Sequence, residues 1–167
     1  MTDKQQFTVP ESWAEVTVAQ YEQIDFADTI GMISILLKVD RETVEHMTGK
    51  GVGEILDALD FVHHDPVYKY VEEIAGYKVR TDIQELTMNE MEMIQDLCDE
   101  FQKNSAKIVG FIYRGDEDLQ PNSILRRSEI IKHVMTVDQL MAMSLHSILT
   151  AGILLAPEYP DLKKLVE

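Results

Sequence analysis

The residues able to do chemistry are few, and each must be weighed against its spacing. The stretch TGKGVG at 48–53 is the most inviting, because glycines let backbone amides curl around a phosphate. A phosphate loop, however, follows a strand and has the spacing GxxxxGK[ST]; here Gly51 already follows Lys50, and a helical pattern precedes. The segment therefore reads as a helix terminus C-capped by Gly49. His63, His64 and Asp65 are adjacent, and neighbouring side chains rarely converge on one ion. His46, His133 and His146 add no pair at ligand spacing, and no metal is expected. Cys98 is followed by Asp99 and Glu100, which disfavour a thiolate, so a small buried thiol is expected instead of a nucleophile. Carboxylates are so frequent that their proximity says nothing about acid–base catalysis, and RGD at 114–116 reads as part of an acidic turn. No catalytic residue and no cofactor follow from the sequence.

The methionines carry more information. Met88, Met91 and Met93 cluster on one predicted helix, and Met141 and Met143 on another. Met93 and Met143 lie off the apolar stripes of their helices, which predicts exposure. Flexible thioethers on a surface suit varied apolar partners. These five are the candidate partner-binding residues.

The elements that must position them can be read from periodicity and caps. Residues 7–24 align without a gap on 77–94, and in both a short alternating segment runs through a polar turn into a Thr-x-x-Gln/Glu box. Thr17 with Gln20, and Thr87 with Glu90, should each start a helix. A third box, Thr136 with Gln139, precedes a long helix from Val137 that Pro157 and Pro160 close. Asp28 and Asp40 can cap two further helices, the first apolar on nearly every side, and EILDALDFV continues the series. Residues 68–83 alternate around Ala75-Gly76 as a hairpin would, and FTV at 7–9 could add a third strand. Met91, Ile94, Leu97, Cys98 and Phe101 share one helical face. KIVGFIY at 107–113 must lie inside, RGDEDLQPN at 114–122 is a loop, and a helix is expected near Ser128 to His133. The expected fold is α+β and predominantly helical: one domain over 1–167, with a small antiparallel sheet of an N-terminal strand plus hairpin, packed by helices.

The totals agree with such a domain. The chain has 167 residues, 45% hydrophobic and 27% charged, enough for a core without metal or disulfide support. Its net charge of -15 is concentrated in the first two thirds. That field repels nucleic-acid phosphates and anionic lipid and favours a basic protein partner or plain solubility. One cysteine cannot form an internal disulfide. MTDKQQFTVP lacks the apolar core of a signal peptide, and the run from Ile148 to Ala156 is too short to span a bilayer, so a cytoplasmic protein is expected.

VPESWAEVTVAQYEQI followed by ISILLKVDRETVEHM, and later KIVGFIYRGDED with RRSEIIKHVMTVDQL, resembles small proteins encoded among the structural genes of tailed bacteriophages. Some of these are tail assembly chaperones and others minor virion components. The resemblance implies a non-catalytic protein of phage assembly in the infected host. Its partners would be phage structural proteins such as a long, apolar, helical tape-measure protein, neighbouring virion subunits, or further copies of the same chain in a homo-oligomer. An acidic decoy that imitates DNA to block a host enzyme is a further reading of the charge alone.

Overall fold

The computed structural model describes residues 7–79, 87–114 and 121–143. Helices dominate. A 3-10 turn at Trp13–Glu15 leads into α1 (Val18–Gln23), α2 (Thr29–Leu37), α3 (Arg41–Glu45) and α4 (Gly49–Ala58), and a second 3-10 turn follows at Asp60–His63. A hairpin of β1 (Glu73–Ile74) and β2 (Tyr77–Val79) precedes α5 (Met88–Cys98) and α6 (Phe101–Ile112). Strand β3 (Tyr113–Arg114), α7 (Pro121–Ile131) and the start of α8 at residues 137–143 complete the described chain. The protein is thus α+β and predominantly helical, with a small antiparallel sheet.

Local chemistry explains the helix starts. The Thr17 and Thr87 hydroxyls accept from the amides of Gln20 and Glu90, and those side chains accept in return from the two cap amides, forming full capping boxes. Asp28 and Asp40 accept from the amides of Gly31 and Thr43, as their positions foretold. Thr48 does the same for Gly51, and this overturns one expectation: Gly49 opens α4 and does not close the helix before it. A threonine hydroxyl three residues ahead of an available amide nucleates a helix that the glycines then tolerate.

The sheet differs from expectation in one strand. Ala75 and Gly76 have φ of 51° and 82°, the left-handed pair that a tight two-residue hairpin needs, and they bring Ile74 opposite Tyr77. The third strand, however, is β3, antiparallel to β2 with Val79 opposite Tyr113; residues 7–9 form no strand. The apolar run of α6 carries straight into Tyr113, whose hydroxyl donates to the Val71 carbonyl at 2.6 Å and so pins the sheet. The two aligned segments therefore share a capped helix start but differ in their first residues, and positions 80–86 lie outside the described residues. Two helix boundaries also move. The face expected from Met91 to Phe101 is divided between α5 and α6 at Asp99–Glu100, and α7 begins at Pro121, well before Ser128. Proline at the first turn, where its missing N–H costs nothing, explains the earlier start.

Helix α1 packs on α6 and joins the first part of the chain to the rest. Val16, Val18, Ala19, Tyr21 and Ile24 are all buried. At its N-terminal end the chain exchanges backbone bonds with the segment before α8: Val18 N–H donates to the Met135 carbonyl at 2.9 Å and Val137 N–H to the Val16 carbonyl at 2.9 Å. Thr17 thereby bridges Thr136, whose own amide donates to the Gln139 side chain at 3.1 Å. At its other end the Gln102 side-chain amide donates to the carbonyls of Tyr21 and Ile24, both at 2.7 Å, supplying partners that a helix C-terminus lacks. Trp13 is buried beside it, edge-on to Tyr21 and Phe61, with its indole N–H donating to the His64 carbonyl at 3.1 Å.

Candidate functional site

Helices α5 and α7 both lie along α6 but have no comparable contact with each other. Between them, over α6, a slot of about 550 Å³ is left open. The reasons lie in the sequence of each element. In α5, Ile94 and Cys98 point into the core, which turns Asn89, Met93, Asp96 and Leu97 toward the slot together with Glu90. Phe111 and Lys107, one turn apart on α6, form its floor. Close packing of α6 against α7 is made possible by Gly110: a Cβ there would lie 2.9 Å from the Ile124 carbonyl oxygen and collide with the Ser128 hydroxyl. Arg127 seals that crossing, its Nε and Nη2 donating to the Gly110 carbonyl at 3.2 and 3.0 Å. With Arg127 and Ser128 turned inward, α7 offers Ile124 and Leu125 as the far wall.

The slot is apolar with a charged edge. Met93 is 43% exposed and Leu125 51%, values that mark large apolar side chains left facing solvent. Glu90 and Asp96 edge the α5 wall and Lys107 lies on the floor, and no ion pair to Asp96 or Lys107 occurs among the described residues.

The five methionines fare differently. Met93 lines the slot, and Met88, 71% exposed, sits at the start of the same helix outside the lining. The Met91 side chain lies outside what the structure describes. Met141 and Met143 are buried, Met143 completely, which corrects the expectation that Met143 is exposed and removes both from a binding surface. A helix with solvent along one side exposes its off-stripe residues, whereas Leu140 to Met143 are enclosed all round. Leu125, Phe111 and Leu97 were not foreseen in the site. Leu125 carried a usable signal, since it is a large apolar residue off the Ile124, Ser128, Ile131 stripe of its helix.

Burial shifts several ionisable groups toward their uncharged forms. Burial, with help from Asp99, pushes the Cys98 thiol up to about 11, and burial raises the Tyr113 phenol further above its ordinary range. Both are made less nucleophilic. Glu22, raised above 4.5 by burial, accepts from the Ala106 amide at 2.7 Å and serves as a structural acceptor. Asp138 is buried under the Lys69 amide, which donates to its carbonyl at 3.4 Å; burial raises its carboxyl and Lys69 opposes the shift. Among the described residues no three His, Cys, Asp or Glu side chains converge as a metal site, and no helix is long and apolar enough to cross a membrane. His64 faces Asp60 at 2.9 Å, and the His46 ring meets the Glu42 carbonyl at 2.7 Å. A second hollow of about 600 Å³ near Phe26, Leu56 and His63 is more polar.

Comparison of the chain with protein-family models, with curated proteins and with solved structures finds no match.

Proposed function

We propose that the protein is a non-catalytic binding protein of tailed-phage assembly, a tail assembly chaperone that holds an apolar helical segment of a structural protein in the slot between α5 and α7. The observation that carries the binding role is the slot itself: two helices held apart on a third, with Met93 and Leu125 exposed on opposite walls. Such a gap suits a partner helix whose apolar face is laid into the slot, a recurring mode of peptide recognition. A thioether on the wall lets the same surface repack against more than one apolar sequence. The shifts of Cys98 and Tyr113 away from reactivity support a binding role over an enzymatic one. The phage setting rests on the sequence resemblance.

The charge supports the same reading. Asp28 and Asp40 are engaged as helix caps and Glu22 faces α6, so these acids are not arranged as a row of phosphate mimics. The surplus would keep a complex with an apolar partner soluble.

The test is a tagged pull-down from infected-cell lysate at low and high salt, with the bound proteins identified by mass spectrometry and compared with purified particles. A long helical tail protein retained at high salt, lost with Leu125→Glu, and absence of this chain from particles are the expected results. Presence of the chain in particles at fixed stoichiometry would make it a virion subunit instead. A complex that dissolves steeply with salt and survives Leu125→Glu would make it a charge decoy.

A further inference from the structure

Helix α4 is built unlike its neighbours. Among the described residues it is the one α-helix that buries no side chain: every residue from 45 to 58 is exposed or half-buried, and of these Met47, Val52 and Ile55 rest against the core. Its one extensive contact among the described elements is with the 3-10 turn that follows it in the chain. Three of its first five residues are glycine. A Cβ at Gly51 would press on the Thr48 hydroxyl at 3.3 Å, so that glycine serves the cap. At Gly49 and Gly53 a Cβ would meet nothing within 4 Å, and neither has a positive φ. Neither space nor backbone conformation calls for glycine there, and its effect is to weaken the helix, by about fivefold in helical population at an interior position such as Gly53. The Lys50–Glu54 pair, 3.9 Å apart and exposed on both sides, offsets little of this.

The chain on either side of this segment is fixed. Val44 is buried at its start and Leu59 at its end, and beyond Leu59 the chain is held by Phe61 against Trp13 and by the Trp13 indole N–H donating to the His64 carbonyl. We infer that residues 45–58 form a local opening unit: α4 unwinds and reforms between the fixed points Val44 and Leu59, with Gly53 setting how often, while the remaining helices stay folded. The open form is a minor state of the folded chain and leaves the global transition single. Opening withdraws Leu56 from the hollow that it lines with Phe26 and Met32, so the shape of that hollow follows the state of α4. This device lies apart from the slot between α5 and α7 and does not depend on what the slot binds.

Amide hydrogen exchange of the whole chain under native conditions tests this. Protection of residues 52–58 should be at least about tenfold below that of α2 and α6, and insensitive to low urea because local opening exposes little surface. Gly53→Ala, which has open space for its methyl, should raise the protection of α4 about fivefold. Val16→Ala gives the complementary result. Val16 is buried in the core and keeps its contacts when only α4 opens, so this variant should lower protection in α6 at least about fivefold and leave α4 unchanged. If α4 is as protected as α2, or if Val16→Ala lowers protection in α4 as much as in α6, the helix opens only with the whole molecule and the inference is overturned. If α4 is weakly protected but Gly53→Ala leaves it so, the role assigned to Gly53 is overturned.

Discussion

At the scale of single residues, a side chain's role here depends on what surrounds its helix more than on its type. Met93 and Met143 carry the same sequence signal, each an apolar residue off its helix's stripe. One is exposed in the slot and the other is fully buried. Met93→Glu should therefore leave stability within about 0.5 kcal/mol of the parent, and Met143→Glu should cost more than about 3 kcal/mol by burying an unpaired charge. Urea denaturation of both variants checks this, and comparable losses would mean that Met93 is packed as a core residue. Glu22 gives a residue-scale prediction in pH. Its carboxyl is raised above 4.5, chiefly by burial, so the folded chain holds that proton more tightly than the unfolded one. Stability from this group is accordingly highest at low pH, falls as pH rises from 4.5 through the folded value, and stays lower above it. Glu22→Gln keeps an oxygen to accept from Ala106 and removes the titration. Its stability relative to the parent should rise between pH 4 and pH 7, measured by denaturation at both; an unchanged difference would show that Glu22 has no net linkage to folding.

At the scale of elements, what was legible in the sequence is what is decided locally. The capping residues Thr17, Asp28, Asp40 and Thr87 work over three residues, and all four helix starts occur where those residues put them. The turn at Ala75-Gly76 is equally local. Pairings across the chain were not legible. Nothing near Tyr113 announces that it will pair with Val79 instead of residues 7–9 doing so, because strand order depends on where α6 delivers its last turn. The slot was legible only in part: Met93 betrayed itself by position, whereas the gap exists because α5 and α7 are separated on α6, which no periodicity records. The α6–α7 crossing is the element-scale point to test. Gly110→Ala places a methyl against the Ile124 carbonyl oxygen and the Ser128 hydroxyl, and backbone on one side leaves little room to yield. The expected loss is about 1–3 kcal/mol, despite alanine's better helix propensity. A gain in melting temperature would mean that the two helices do not approach as closely as described.

At the scale of the molecule, the question is whether the helices before the hairpin and those after it fold as one unit. Trp13, Ile33, Leu37 and Leu59 of the first group and Ile94, Ile108, Ile131 and Leu140 of the second belong to one contiguous apolar cluster. Helix α1 joins them. Its N-terminal end is tied by backbone bonds to Lys132, Met135 and Val137, and its C-terminal end by Gln102, so neither group can open without exposing Val16, Val18 and Tyr21. Unfolding should therefore be cooperative. The single tryptophan lies at the far side of this joint, against Phe61 and Tyr21, and reports the first group, while the circular dichroism signal reports helices throughout. Trp13 fluorescence and far-ultraviolet dichroism should show coincident urea midpoints, within about 0.2 M, in a two-state transition. Val16→Ala, which removes buried methyls at the joint, should shift both midpoints together by an amount equivalent to about 1–3 kcal/mol. Separate midpoints, or a Val16→Ala shift confined to fluorescence, would mean that the second group stands without the first. The slot would then belong to a three-helix unit able to move relative to Trp13. A single transition instead makes α1 the element through which occupancy of the slot, by stabilising α5 to α7, would raise the stability of the whole chain.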